Sequence, residues 1–270
     1  MLRPASRQLC TNLSINSITY KIPWTDIALL VGTALFTLAL TSVAGAGGGT
    51  ILIALMLLFM PPAAAIPAHG VVQLASNTWR LWLFRRHLAW PLIIRFSLLM
   101  PFGVALGLWL FQEMPKELVQ VLIGFFVLLT LFLRHLKRFA PKESPLWAFV
   151  PLGFVTGALN MIVGVIAPVL GVLIIRKDLK KEDIVGTLGF FGFIGNLLKI
   201  TAFTMIGLSF AEYGLLLLLM TAAVIIGTSV GKRVLSGFDE KTFLIVFNIM
   251  LIALALKLIV IDGLRALFGD

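Results

Sequence analysis

The sequence predicts an all-α integral membrane protein made of two inverted repeats of about five helical segments each, some of them short or broken. Three observations predict it. The chain is 60% hydrophobic and only 13% charged, where a soluble domain carries about 25% charged residues. Its apolar residues fall into runs separated by Pro, Gly and charge, and nothing is left over for a soluble domain. Two spacings also recur in the same order in both halves. Gly103-x-x-x-Gly107 returns as Gly227-x-x-x-Gly231, and Asn77-x-x-Arg80 returns as Asn196-x-x-Lys199.

Residues 1–23 form an N-terminal tail without the continuous apolar core of a signal peptide, so the tail is expected to stay attached, as a disordered or surface-lying extension. It holds the single cysteine, Cys10, which leaves no disulfide within the chain and no metal framework. The first membrane repeat covers 24–139, with apolar runs at 27–43, 50–59, 64–84, 92–111 and 118–133. A cytoplasmic linker, 140–146, separates it from the second repeat, 147–270, with runs at 147–160, 164–175, 184–208, 213–230 and 243–261. Runs 50–59 and 164–175 are too short to span comfortably and read as half-helices or re-entrant pieces. An odd number of segments per half inverts the second copy relative to the first.

Asp26 opens the first run, which ends in the glycine-rich stretch 45–49. Glycine at that density cannot continue a helix cheaply, and a new helix is expected to restart at Thr50. The amides of Gly47, Gly48 and Gly49 then lie at a helix N-terminus, which favours an anion. The same glycines could instead form a tight turn with close helix packing. Pro61-Pro62 stops the short helix, and Pro67 is expected in the first turn of the next. Gly103-x-x-x-Gly107 reads as a close-packing pair, Arg95 as a snorkelling residue, and Asn160 and Asn248 as interhelical hydrogen-bonders.

The net charge of +10 sits in loops. Lys and Arg cluster at 85–86, 134–142, 176–181 and 232–241, whereas 60–63 and 207–212 carry none and 112–117 only Lys116. This segregation is the positive-inside pattern of a membrane protein, not a nucleic-acid surface, and it places both termini outside. Arg3, Arg7 and Lys21 in the tail pull the other way.

All 12 Asp and Glu fall in loops or at segment ends. That argues against a cation pore or a carboxylate proton relay. The ionisable groups at mid-span are His69, Arg80 and Lys199. On a helix His69, Gln73, Asn77 and Arg80 share one face, and their charge and donors suit a small oxyanion. Arg80 and Lys199 would supply the positive charge, with Asn77, Asn196 and Gln73 as neutral donors and Gly47–Gly49 amides capping the ligand. His69 reads either as part of that path or as a structural hydrogen-bonder. No cofactor is expected. A membrane-embedded enzyme would need a carboxylate pair, a His-rich metal spacing or a serine beside His69, and the sequence offers none. An anion channel would carry the same residues, whereas an assembly subunit would have little use for a buried Arg/Lys pair; the oligomeric state is open, a homodimer included.

The stretches GAGGGTILIALMLLFMP (45–61), PAHGVVQLASNTWRLWLFRR (67–86) and GTLGFFGFIGNLLK (186–199) resemble the sulfite exporter TauE/SafE family of membrane permeases, over about residues 24–261. The resemblance implies a duplicated, many-helix permease for small sulfur-containing anions such as sulfite or organosulfonates in the bacterial inner membrane. The inverted repeats themselves predict secondary transport by one repeat rocking against the other. The second half departs from the pattern. Its break, 163–168, has lost most of its glycines, so the first copy is expected to do most of the binding.

Overall fold

A computed structural model of the chain describes residues 23–32, 34, 48–136, 144–165, 170, 174, 176, 178–234, 248–249, 252–253 and 255–262. Among these the regular structure is entirely helical. Helix α1 covers residues 24–32, followed by α2 (Gly48–Phe59), α3 (Pro62–Leu83), α4 (Trp90–Glu113) and α5 (Lys116–Leu136). The second half holds α6 (Phe149–Ile162), α7 (Lys181–Met205) and α8 (Gly214–Val234), and near the C-terminus a π-helical turn, Lys257–Asp262. Helices α4 and α7 are each long and apolar enough to cross a membrane. Helix α2, with 12 residues, is about 18 Å long and falls short of a bilayer, as its sequence predicts.

Local chemistry sets the boundaries. Pro61 is extended and Pro62 opens α3, where a missing N–H costs nothing. Pro67 therefore lies inside the helix, not in its first turn, and removes one intrahelical bond there. Helix α2 starts at Gly48, two residues before the expected Thr50. At the start of α7 the Asp183 carboxylate accepts the Lys180 N–H at 3.0 Å, and its charge complements the helix dipole. Arg95 donates to the Pro91 carbonyl in the first turn of α4 and stays near the helix end.

Helix α4 packs along α6, and α3 crosses α7, while α7 also touches α4 and α8 touches α3. Two glycine pairs make the α4–α6 contact. A methyl on Gly107 would lie 2.5 Å from the Ala158 carbonyl oxygen, and one on Gly157 would lie 2.6 Å from that of Met100. Methyls on Gly103 and Gly153 would overlap the backbone of Phe154 and Phe96. Beside this seam Phe96 stacks on Phe191 with ring centres 3.9 Å apart, so α4 and α7 share a core.

The outer surface is apolar as well. Along α4, Ile94, Leu98, Phe102, Leu106 and Trp109 form one exposed stripe at helical spacing. All six tryptophans are exposed, and they stand at or near helix ends, as an interfacial aromatic belt does.

The loop between α3 and α4 is tied to the start of α7. His87 Nδ1 lies 3.2 Å from Asp183 Oδ1, and the buried Thr187 hydroxyl accepts the Ala89 N–H at 3.0 Å. Thr187→Val strands that N–H and is expected to cost about 1–3 kcal/mol. Thr187→Ser should recover most of the loss in a thermal melt.

Candidate functional site

The first turn of α2 lies against the middle of α3. Gly49 carbonyl accepts from His69 Nε2 at 2.9 Å. Gln73, one turn along α3, sits 3.3 Å from the same ring nitrogen. A carbonyl only accepts, so His69 Nε2 carries hydrogen, and the Gln73 amide serves that hydrogen best when its oxygen faces the ring. The Thr50 hydroxyl, in the same turn of α2, is buried with no hydrogen-bond partner. Gly48 is the first residue of α2. Gly47 lies outside the described residues.

Helices α3 and α7 run antiparallel, and each long polar side chain at their crossing rests on a glycine opposite. A methyl on Gly70 would stand 3.0 Å from the Lys199 side chain, one on Gly192 2.6 Å from Asn77, and one on Gly189 3.2 Å from Arg80. The glycines of α7 thus make room for side chains of α3. Asn196 Nδ2 donates to the Gly192 carbonyl at 2.7 Å, so both asparagines converge on Gly192. Asn160 bridges from α6 to the Gly195 carbonyl at 2.9 Å, the interhelical role its sequence position suggests. Asn248 Oδ1 is buried without a partner.

Lys199 is 0% exposed, and its ammonium donates to the Gly164 carbonyl at 2.9 Å. Helix α6 ends there after 14 residues, and Gly164 turns the chain with a left-handed φ of 83°. A cation at the carbonyl end of a helix is favourably placed against its dipole. Replacing Lys199 by Met removes a buried, charge-assisted bond. It is expected to destabilise the empty protein by about 1.5–3 kcal/mol, read as a lower melting temperature.

Arg80 is different. It is half-buried, and among the described residues its guanidinium makes neither a hydrogen bond nor an ion pair. The three ion pairs there, His87–Asp183, Lys116–Glu117 and Arg176–Asp178, all lie at helix ends or in loops. Nor do the described residues contain a group of His, Cys, Asp and Glu able to hold a metal. The structure therefore brings Gly49, His69 and Gln73 into one cluster, with Lys199 beside it through Gly164. Asn77, Arg80 and Asn196 continue along the α3–α7 crossing. Thr50 and Gly164 complete the arrangement and are not evident from spacing, because one is a common helix residue and the other an isolated glycine.

The family model described as Sulfite exporter TauE/SafE matches residues 30–258. No curated protein and no solved structure matches the chain.

Proposed function

The chain belongs to the sulfite exporter TauE/SafE family, and from that premise we propose that it is a secondary transporter for a small sulfur-containing oxyanion, sulfite or an organosulfonate, in the bacterial inner membrane. The family is one of transporters, not enzymes. The observation that carries the reading is Arg80, a guanidinium within the packed helices with no partner among the described residues. Such a cation is costly beside hydrocarbon unless an anion comes to it. Along α3 from Arg80 to His69, about three turns, Asn77, Asn196 and Gln73 would add donors to the anion's path. His69 and the amides of Gly47, Gly48 and Gly49 would face the anion at its far end, and Lys199 would add long-range positive charge.

Two further observations support the reading. The step from Gly70 to Gly189 equals the step from Arg80 to Lys199, and Gly70 rests on Lys199 while Gly189 rests on Arg80. That exchange of partners is what two inverted repeats about an axis in the membrane plane would give, with the site at their crossing. Loop charge then puts residues 134–142 in the cytoplasm and Asp270 outside.

Purified protein should melt at a higher temperature with sulfite or an organosulfonate present, because a ligand of the folded state stabilises it by mass action. Sulfate, thiosulfate, taurine, sulfoacetate and carboxylates at matched ionic strength complete the screen. If no sulfur oxyanion shifts the melt, the reading is wrong. Gly49→Ala tests the helix N-terminus. Its methyl would stand 2.5 Å from the Gln73 amide, the end of a flexible side chain that can move aside. The empty protein should melt nearly as before, while anion affinity falls roughly tenfold, about the 1.4 kcal/mol of one displaced donor.

A further inference from the structure

His69 stands between two breaks in the helical fold. Its Nε2 is held by the Gly49 carbonyl in the first turn of α2. The Gly164 carbonyl, just past the end of α6 and beside Ile53 and Ile66, takes the Lys199 ammonium. Because Nε2 carries the hydrogen of the neutral ring, Nδ1 is left as a bare lone pair. That nitrogen is buried and no donor reaches it.

Protonation would make Nδ1 a donor, yet the new charge would lie beside Lys199 without a counterion. Few charges face it from the neighbouring elements. Helices α2 and α6 carry no charged residue, and α7 presents Lys199. Helices α5 and α8, which also pack on α3, hold their charges only in end turns. On α3 itself Arg80 lies about three turns further along. An anion entering this site brings the missing negative charge and an acceptor for Nδ1–H.

We propose that His69 Nδ1 takes up one proton with each anion bound, so that the protein carries anion and proton together. The proposal rests on the anion-transport reading above. The proton comes from solvent and no covalent bond changes. The protonated ring keeps its Nε2–H bond to Gly49 and gives a charge-assisted Nδ1–H bond to the anion. Linkage is reciprocal: the anion favours the proton by the factor with which the proton favours the anion.

The test is calorimetric titration of the full chain in lipid nanodiscs with thiosulfate and with sulfite, at about pH 6 and about pH 8, either side of an ordinary histidine. Each titration is run in two buffers of different ionisation enthalpy, which counts protons taken up. Thiosulfate stays fully ionised over this range, so any proton counted with it belongs to the protein. Thiosulfate affinity is expected to fall by up to tenfold per pH unit on the alkaline side, with uptake approaching one proton per anion. His69→Gln keeps an amide donor for the Gly49 carbonyl. It should bind weakly, with the same Kd at both pH values and no uptake. Sulfite titrates by itself, and there the expected signature is the difference between wild type and variant.

Wild-type protein that binds thiosulfate with a pH-independent Kd and no uptake overturns the proposal and leaves the anion site standing. A His69→Gln variant that keeps the wild-type pH slope overturns it too, since the proton then sits elsewhere. Should that variant not fold, His69→Asn takes its place, because the wild-type count alone does not separate His69 from Lys199. If wild type binds neither anion, the transport reading fails and the proposal falls with it.

Discussion

Gly153→Ala is expected to leave little folded protein in the membrane. The added methyl would overlap the Phe96 carbonyl of α4, and Gly157 beside it already sits against Met100 and Val104 backbone. Backbone cannot swing aside as a side chain does, so the helices must part along their whole contact. A cost of about 3 kcal/mol or more follows, at the upper end for overpacking. Gly214→Ala is the control, because a methyl there meets nothing within 4 Å. It should change stability by about 0.5 kcal/mol or less. Thermal melts of both variants without ligand settle the matter, and equal melting temperatures would mean that α4 and α6 are not in backbone contact.

Arg80→Gln should do the reverse: keep the fold and remove the ligand. Its guanidinium has no partner among the described residues, so no internal bond is lost with it. The glutamine amide keeps a donor but not the charge, and Coulomb attraction in a low-dielectric site is what a neutral group cannot replace. Losing a buried charge partner costs about 3 kcal/mol, or more than a hundredfold in Kd. The expected pattern is an unchanged melt of the empty protein with no anion-induced rise. Arg80→Lys should keep part of the rise, since charge survives while the planar fork does not. Normal anion binding by Arg80→Gln would make that charge a structural one.

Several of these features were legible in the sequence, for reasons particular to each residue. His69 and Gln73 could be placed on one face because i and i+4 on a helix must be neighbours, and 3.3 Å separates the Gln73 amide from the His69 ring nitrogen. The short α2 was legible because glycine and proline bracket it. What lay beyond reach depends on a second helix. Gly153-x-x-x-Gly157 has the same spacing as Gly103-x-x-x-Gly107, yet one apolar run cannot say which other run its glycines meet. Gly189 and Gly192 carry no sign in the sequence of what lies opposite, and only the α7 crossing shows Arg80 and Asn77 resting on them. Lys199 looked free for an anion because its acceptor, the Gly164 carbonyl, depends on where α6 stops and how Gly164 turns. The boundary at Pro67 was misplaced because proline is tolerated in the interior when packing supplies the rest.

Interlocked glycines couple α4 and α6 mechanically. Backbones in direct contact can neither slide nor part by the small amounts that side-chain packing absorbs. Helix α4 comes from the first half of the chain and α6 from the second, so whichever piece swings carries both. In the transporter proposed above, an opening seam would therefore cut across the two halves of the sequence, unlike the expected rocking of one whole repeat against the other. Helices α3 and α7 offer a more yielding surface, where Arg80, Asn77 and Lys199 lie on glycines as side chain on backbone. Packing of that kind would let one helix roll over the other without backbone collision.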